Sequence, residues 1–180
     1  MARLPYADEN SSAEIKALAD AIRSQRGGRT LHVYNMLLNA PPVAATWVPF
    51  FTAVRQKCEL DARYLELASL RVGLINKSQY QYRAHIPFAL KAGVTQAQID
   101  ALANWQHSAQ YSDADRAVLA YTDAMTKEVE VADSDFDALR PHFNPRKLVE
   151  LTVTIAAYNA MSRLLVALKV DAEASHGTKT

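Results

Sequence analysis

Apolar residues recur along this chain at the spacing of a helix rather than with the alternation of a strand. The clearest stretch lies near the carboxyl end, with apolar positions at Leu148, Leu151, Ile155, Leu165 and Leu168. We expect this helix to begin at Asn144, a good capping residue, followed by Pro145, which suits a first turn. Residues 128–131 form the best candidate strand, but four residues are too few to change the helical assignment. The pattern therefore predicts an all-α fold.

Capping and turn residues divide the rest of the chain into shorter helices. A Ser or Thr followed three positions later by an acidic or amide residue is typical of a capping box. Such pairs are Ser11 with Glu14, Thr95 with Gln98, Ser112 with Asp115, and Ser134 with Asp137. Further helices are expected after Pro42, after Asp61, and from the break at 76–78 to Gly93, where a glycine favours a helix end. The polar tail 171–180 is expected to fray.

Composition limits the classes of protein to which the chain can belong. Its 180 residues, 49% of them hydrophobic, predict one domain over 1–180 with a real core. The 20 basic and 19 acidic side chains give no basic excess, so we expect neither a nucleic-acid nor a membrane partner. We find no apolar run near the roughly 20 residues of a membrane span and no signal-peptide pattern. These features predict a cytoplasmic protein.

The apolar arc of the last helix is wide. Besides the stripe above it includes Val149, Val153, Val166 and Ala167. A helix that is apolar on several sides is buried on several sides. We expect a homo-oligomer, in which part of this surface meets another copy of the chain. The alternative is a central core helix in a monomer.

A single cysteine, Cys58, restricts the redox chemistry of the chain. It rules out an intrachain disulfide and any Cys-x-x-Cys motif that could carry out dithiol chemistry or bind zinc. We therefore predict no metal site. Pairing of Cys58 between two chains is a further possibility.

The most site-like segment runs from Glu66 to His85. Glu66 stands in a strongly apolar helix, between Leu65 and Leu67. A carboxylate there is either turned to solvent or held in a site, because an unpaired buried charge costs several kcal/mol. Spacing leaves both alternatives open.

His85 shares one helical face with two other polar residues. It follows Gln81 by four positions and Ser78 by seven, which places the three together if the helix is regular. Tyr80 does not share that face, and would join it only from an irregular first turn. A structural histidine fits the same spacing.

Several stretches of the chain resemble the carboxymuconolactone decarboxylase and alkylhydroperoxidase D superfamily. They are the early turn 39–42, the central segments 66–72, 78–85 and 89–94, and the closing helix 158–164 with 167–170. The resemblance implies a helical bundle that assembles as a trimer or hexamer. In the peroxidase branch of that superfamily, cysteines stand at the positions of Ser78 and Gln81, and a histidine stands at Tyr80. Since serine and glutamine cannot supply a thiolate or a resolving thiol, we reject the peroxidase function.

The cysteine-free form is similar to the decarboxylase-like members, whose lactone decarboxylases need no metal or organic cofactor. The resemblance therefore implies a lyase or isomerase that needs no cofactor and acts on a small anionic carbonyl or lactone substrate. Loss of a carboxylate next to a conjugated carbonyl leaves an enolate, which needs a hydrogen-bond donor and then a proton. On this interpretation His85 transfers the proton, Glu66 orients its imidazole, and Tyr80 donates to the developing oxyanion.

The substrate-binding set that follows from the resemblance is Arg71, Ser78, Gln81 and Arg83. Either arginine could bind a substrate carboxylate bidentately. The alternative for both is solvation or a salt bridge at an interface, and it is favoured for Arg83 on a helix exterior. Ser78 is also placed to cap a helix. The competing hypothesis for the whole chain is a homo-oligomer on the same fold that binds a ligand or serves a structural role without catalysis. The enzyme hypothesis requires Glu66 and His85 to lie together.

Overall fold

A computed structural model of the protein describes residues 1–173, and every regular element in that range is helical. This confirms the all-α prediction. The helices are α1 (Ala13–Gln25), α2 (His32–Leu37), α3 (Pro41–Gln56), α4 (Ala62–Ile75), α5 (Gln79–Lys91), α6 (Gln96–Ala101), a 3₁₀ helix (Leu102–His107), α7 (Asp113–Lys127), α8 (Asp133–Asp137) and α9 (Pro145–Leu168). Residues 174–180, the end of the predicted tail, lie outside the described residues.

Four of the predicted helix starts are confirmed by their capping bonds. Asp61 Oδ1 accepts a hydrogen bond from the Arg63 amide at 2.8 Å, and α4 begins at the next residue, Ala62. Thr95 and Ser112 each begin a capping box in which both reciprocal hydrogen bonds are present. Asn144 Oδ1 accepts a hydrogen bond from the Lys147 amide at 2.9 Å, and α9 begins at the next residue, Pro145. These contacts satisfy amide groups that the first turn of a helix leaves without partners.

Two of the predicted caps are wrong. The cap of α1 is Ser12, whose Oγ accepts from the Ile15 amide, whereas the Ser11 hydroxyl donates to the Asp8 carbonyl. Ser134 lies inside α8, which begins after Ala132 with no side-chain capping bond. The capping pattern involves only two residues, so it does not fix the start of a helix. At α1 the neighbouring serine is the cap, and α8 begins before the predicted cap.

Contacts group the chain into two compact units, Met1–Thr52 with Ala167 onward, and Ala53–Val166. In the first unit, the start of the polar tail is held rather than frayed. Asp171 Oδ2 accepts hydrogen bonds from the Ala2 amide at 3.0 Å and from the Tyr6 hydroxyl at 3.1 Å. The second unit contains every predicted site residue.

In the second unit, α4 lies at the centre and packs against α5 and α7. It is buried continuously from Leu65 to Gly73. Gly73 marks a close approach to α5, because a Cβ there would lie 3.2 Å from the backbone nitrogen of Tyr82. The buried core around α4 and α5 comprises Leu67, Leu70, Ala89, Val94, Ile99, Leu102, Trp105, Tyr111 and Leu119. This packing sets the distance between the two helices that carry Glu66 and His85.

Helix α9 is the one helix within residues 1–173 that is long and apolar enough, by length and composition, to cross a bilayer. The expectation that no stretch would reach that length does not hold for it. Its most apolar 18-residue window has a mean hydropathy of 1.4, and half of that window is buried inside the protein, as in the core helix of a folded domain. Val149 and Val166 are exposed on it, and the homo-oligomer stays a prediction.

Candidate functional site

Glu66 and His85 form a buried pair between α4 and α5. His85 Nδ1 lies 2.6 Å from Glu66 Oε2, and the two side chains are 10% and 6% exposed. The enzyme hypothesis required this meeting. Because a carboxylate can only accept, Nδ1 carries the hydrogen, and the lone pair of the neutral ring lies on Nε2.

Arg55, near the end of α3, completes this cluster and was not predicted. Its Nη1 donates to the Tyr158 hydroxyl at 2.8 Å and lies 3.4 Å from His85 Nε2. Its Nη2 is 3.7 Å from Glu66 Oε1, and its guanidinium carbon lies 4.9 Å from the centre of the Phe88 ring. Since a guanidinium has no acceptor, Arg55 meets Nε2 as a donor.

Burial is the main cause of the shifted pKa values of His85 and Tyr158. It lowers the pKa of His85 below 6.5, against the opposing effect of the Glu66 hydrogen bond and charge, while the Arg55 charge lowers it further. His85 is therefore neutral at pH 7. Burial also raises the pKa of Tyr158 to about 12, so its hydroxyl stays protonated beside Arg55. The Tyr158 ring meets the imidazole edge to face, with centroids 4.9 Å apart.

Arg55 and Phe88 are the more exposed residues of the cluster. The Arg55 side chain is 23% exposed and Phe88 is 49% exposed, whereas Glu66 and His85 lie deeper. The arrangement presents a neutral imidazole of fixed tautomer, a cation beside its lone pair, and an exposed aromatic ring against that cation. Such a set can accept or return a proton next to a bound anion.

Ser78 and Gln81 continue the buried polar face that begins at His85. Gln81 Nε2 donates to the Ser69 carbonyl at 2.9 Å, which ties α5 to α4. Ser78 precedes the first residue of α5 as predicted for a cap, yet its side chain makes no capping bond. Ser78 Oγ and Gln81 Oε1 are buried without a hydrogen-bond partner among the described residues.

Arg71 is bound within the protein. Its Nε and Nη2 reach the two carboxylate oxygens of Asp123 at 2.5 and 2.7 Å, and its Nη1 donates to the Leu102 carbonyl at 2.9 Å. The side chain is buried on α4. The expectation that Arg71 binds the substrate is therefore corrected, because its guanidinium already binds both carboxylate oxygens of Asp123.

Tyr80 and Arg83 lie on other faces of α5. Arg83 is exposed and stands two positions from His85, a spacing at which helical side chains do not face each other. Tyr80 is half-buried at the second residue of a regular helix, so the irregular turn that would bring it to the His85 face is absent from the described α5. Tyr158 is the tyrosine whose ring contacts His85.

Cys58 is half-buried, and its thiol donates to the Ala53 carbonyl at 3.7 Å. Burial raises the pKa of the thiol, which favours the unreactive protonated form. Within residues 1–173, no group of three or more His, Cys, Asp or Glu side chains is placed to hold a metal ion.

Comparison with known proteins places this geometry in context. The model of a family described as the carboxymuconolactone decarboxylase family matches residues 41–124. The chain is also 27% identical to the uncharacterized protein YdfG of Bacillus subtilis over 105 residues, which cover 57% of this chain and 71% of YdfG.

Solved structures of similar fold include a protein of unknown function from Agrobacterium tumefaciens, proposed to be an antioxidant defence protein AhpD. It is 26% identical, with a TM-score of 0.73 over 78% of this chain and 97% of that one. An AhpD core protein from Ralstonia eutropha JMP134 has a TM-score of 0.81 at 18% identity, covering 96% and 92% of the two chains. A cysteine-to-alanine variant of the debrominase Bmp8, bound to 2,3,4-tribromopyrrole, has a TM-score of 0.79 at 15% identity, covering 97% and 95%. These likenesses confirm the AhpD-like helical fold.

Proposed function

The chain belongs to the carboxymuconolactone decarboxylase and AhpD-like superfamily, and from this premise we propose that it is an enzyme of the decarboxylase-like kind that needs no cofactor. It would use acid–base chemistry on a small anionic carbonyl or lactone substrate. The observation that carries the proposal is the buried His85–Glu66 pair, whose second imidazole nitrogen faces Arg55 at 3.4 Å.

Proton transfer suits these residues better than thiol chemistry. The positions at which the peroxidase branch carries its two cysteines hold Ser78 and Gln81 here, and neither forms a thiolate. Cys58 lies eight positions before Glu66, with a pKa raised by burial. Of the residues in that superfamily motif, this chain keeps Glu66 and His85, whose side chains can take part in proton transfer.

In a decarboxylation, the bond between the substrate carbon and its carboxylate breaks, and carbon dioxide leaves. The electron pair moves into the conjugated carbonyl, where Arg55 stabilises the enolate oxygen. Nε2 of His85, which has first taken up a proton from solvent, then delivers that proton to the carbon, and the ring returns to its neutral form. In an isomerisation, Nε2 removes a proton from one carbon and returns it to another. Glu66 stabilises the imidazolium in both cases.

The test is turnover in a His85→Asn variant. We would assay carboxylated lactones and 3-oxo acids for carbon dioxide release, and their carbon-bound protons for exchange in deuterium oxide. Loss of a positioned general acid–base predicts a rate about 10²- to 10⁴-fold lower. His107→Asn is the matched control, because this histidine is exposed on the 3₁₀ helix.

Equal turnover in the wild type and His85→Asn would contradict the proposal. A wild type that turns over no member of the panel, while His85→Asn changes only stability, would support the non-catalytic alternative instead.

A further inference from the structure

Arg55 occupies the place from which a solute would approach the base. Its side chain is 23% exposed, more than that of Glu66 or His85, its guanidinium carbon lies 4.9 Å from the centre of the exposed Phe88 ring, and its Nη1 lies 3.4 Å from His85 Nε2. An anion with an apolar body would therefore meet Phe88 and Arg55 before it reached the imidazole. Aromatic rings and guanidinium groups favour such ligands together.

The contact between Arg55 and Nε2 acts as an internal cap on the base. Glu66 accepts the hydrogen on Nδ1, so Nε2 holds the one basic lone pair of the ring. Arg55 directs an N–H group at that lone pair from 3.4 Å. A proton cannot settle on Nε2 while a cation lies against it without strong repulsion.

The charges around His85 sum to zero in this state. Among residues 1–173, the groups that face the ring are the Glu66 carboxylate on α4, the Arg55 guanidinium on α3, the protonated Tyr158 hydroxyl on α9 and the Phe88 ring on α5 itself. An added carboxylate would leave this buried cluster with a net negative charge. One proton on Nε2 would restore neutrality.

We infer that Arg55 is the anion-binding residue of the site, and that an anionic ligand takes over its contact with His85 so that one anion and one proton bind together. The inference rests on the proposed function and identifies the substrate as a carboxylate with an apolar or conjugated body. Anion binding converts His85 from a capped base into a general acid. The proton taken from solvent is the one that Nε2 later delivers to the substrate carbon.

The experiment uses benzoate as the probe and benzamide as its uncharged counterpart. Side-chain nitrogen spectra of the five histidines are recorded against pH at constant ionic strength, and His85→Asn identifies the His85 signal. Saturating benzoate is expected to raise the proton affinity of His85 by at least about tenfold, and benzamide is expected to leave it unchanged. By linkage, benzoate then binds more tightly as the pH falls.

Arg55→Gln should weaken benzoate binding at least about tenfold and remove its effect on His85. Arg140→Gln removes the same charge from an exposed residue outside the site, and should change neither measurement by more than about twofold. Benzoate binding that leaves the His85 titration unchanged would overturn the inference. So would equal benzoate affinity in Arg55→Gln, or the lack of saturable binding to the wild type.

Failure of the proposed function gives a different result. Coupled uptake of benzoate and a proton in a protein that turns over nothing would keep the anion site and remove the catalytic role. Turnover that depends on His85, without coupled uptake, would keep the enzyme and remove the role of Arg55.

Discussion

Two arginines of the unit Ala53–Val166 are held in opposite ways. Arg71 meets both oxygens of Asp123 at 2.5 and 2.7 Å and is buried. Arg55 lies 3.7 Å from the nearest oxygen of Glu66 and 3.4 Å from His85 Nε2, and it is partly exposed. Both stand beside a carboxylate, but only Arg71 forms a close bidentate pair with it.

The difference separates a structural ion pair from the proposed anion site. Asp123 is further bound by Lys127 Nζ at 2.9 Å and by Trp105 Nε1 at 3.3 Å, so its carboxylate accepts hydrogen bonds from three side chains. At Glu66, the short bond goes to a proton-carrying imidazole instead. The short bonds between Arg71 and Asp123 stabilise the fold. The longer contacts of Arg55 with His85 and Glu66 are ones that an anionic ligand could replace.

The largest effect is expected from Arg71→Met, which leaves Asp123 buried beside Lys127 without its bidentate partner. Breaking a buried pair in this way costs about 3–5 kcal/mol, measured as the free energy of unfolding in urea. Arg55→Met is the matched comparison and should cost no more than about 2 kcal/mol, because its side chain is partly exposed. A larger loss in Arg55→Met than in Arg71→Met would reverse the distinction.

Arg55→Gln should lower turnover by about 10²- to 10³-fold, as the loss of one oxyanion-stabilising donor does. Its unfolding transition should stay close to that of the wild type. The measurement is kcat on the best substrate of the panel, with Arg83→Gln as the charge-matched control. If Arg83→Gln lowered kcat as much, the anion site would lie on the other face of α5.

The two clusters should lose stability in different pH ranges. His85 has a folded pKa below its unfolded 6.5, so the unfolded chain binds more protons as the pH falls below 6.5, and stability declines there. Burial would raise the pKa of Asp123, but bonds from Arg71 and Lys127 outweigh it and hold the pKa below 3.8. That contribution is complete above 3.8 and is lost at lower pH.

Urea unfolding of the wild type and His85→Asn from pH 7.5 to 5 measures the first of these ranges. The difference between the two proteins should change steadily below pH 6.5 and stay constant above it. Parallel stability curves over the whole interval would show that His85 does not titrate differently on folding.

Tyr158→Phe should have the smallest effect. It removes one hydrogen bond to Arg55 and keeps the ring against His85, which predicts a loss of about 1 kcal/mol in unfolding free energy. Turnover should fall less than in Arg55→Gln, since the cation remains. A Tyr158→Phe variant as impaired as His85→Asn would make the phenol, rather than the imidazole, the proton donor.

Most of the helices, and the buried polar face of α5, could be predicted because both depend on local spacing. The caps at Thr95 and Ser112 have their partners three residues away, and α5 places Gln81 and His85 on one face. Glu66 and His85 needed the resemblance as well, since their contact spans 19 positions. Helix α2 was missed because it is a single short segment without a side-chain cap.

Arg55 and the role of Arg71 depend on tertiary contacts that leave no local pattern. Arg55 lies 103 positions from Tyr158 and 30 from His85, and Arg71 lies 52 from Asp123. A charged residue in an apolar helix reads the same in sequence whether its partner is a ligand or a distant side chain. Tyr158 stood within a stretch that resembled the family, which was the one available signal for it.

Gly73 gives the site a mechanical dependence on a residue that touches none of the reacting groups. A methyl group at this position would lie 3.2 Å from the Tyr82 backbone nitrogen and 3.4 Å from Gln81 Nε2. The backbone atom cannot rotate away as a side chain can, so α5 would have to shift by a few tenths of an ångström. His85 rides on that helix, one turn beyond Gln81. The absence of a side chain at position 73 therefore affects the length of the hydrogen bond between His85 and Glu66, although Glu66 lies about two turns away on α4.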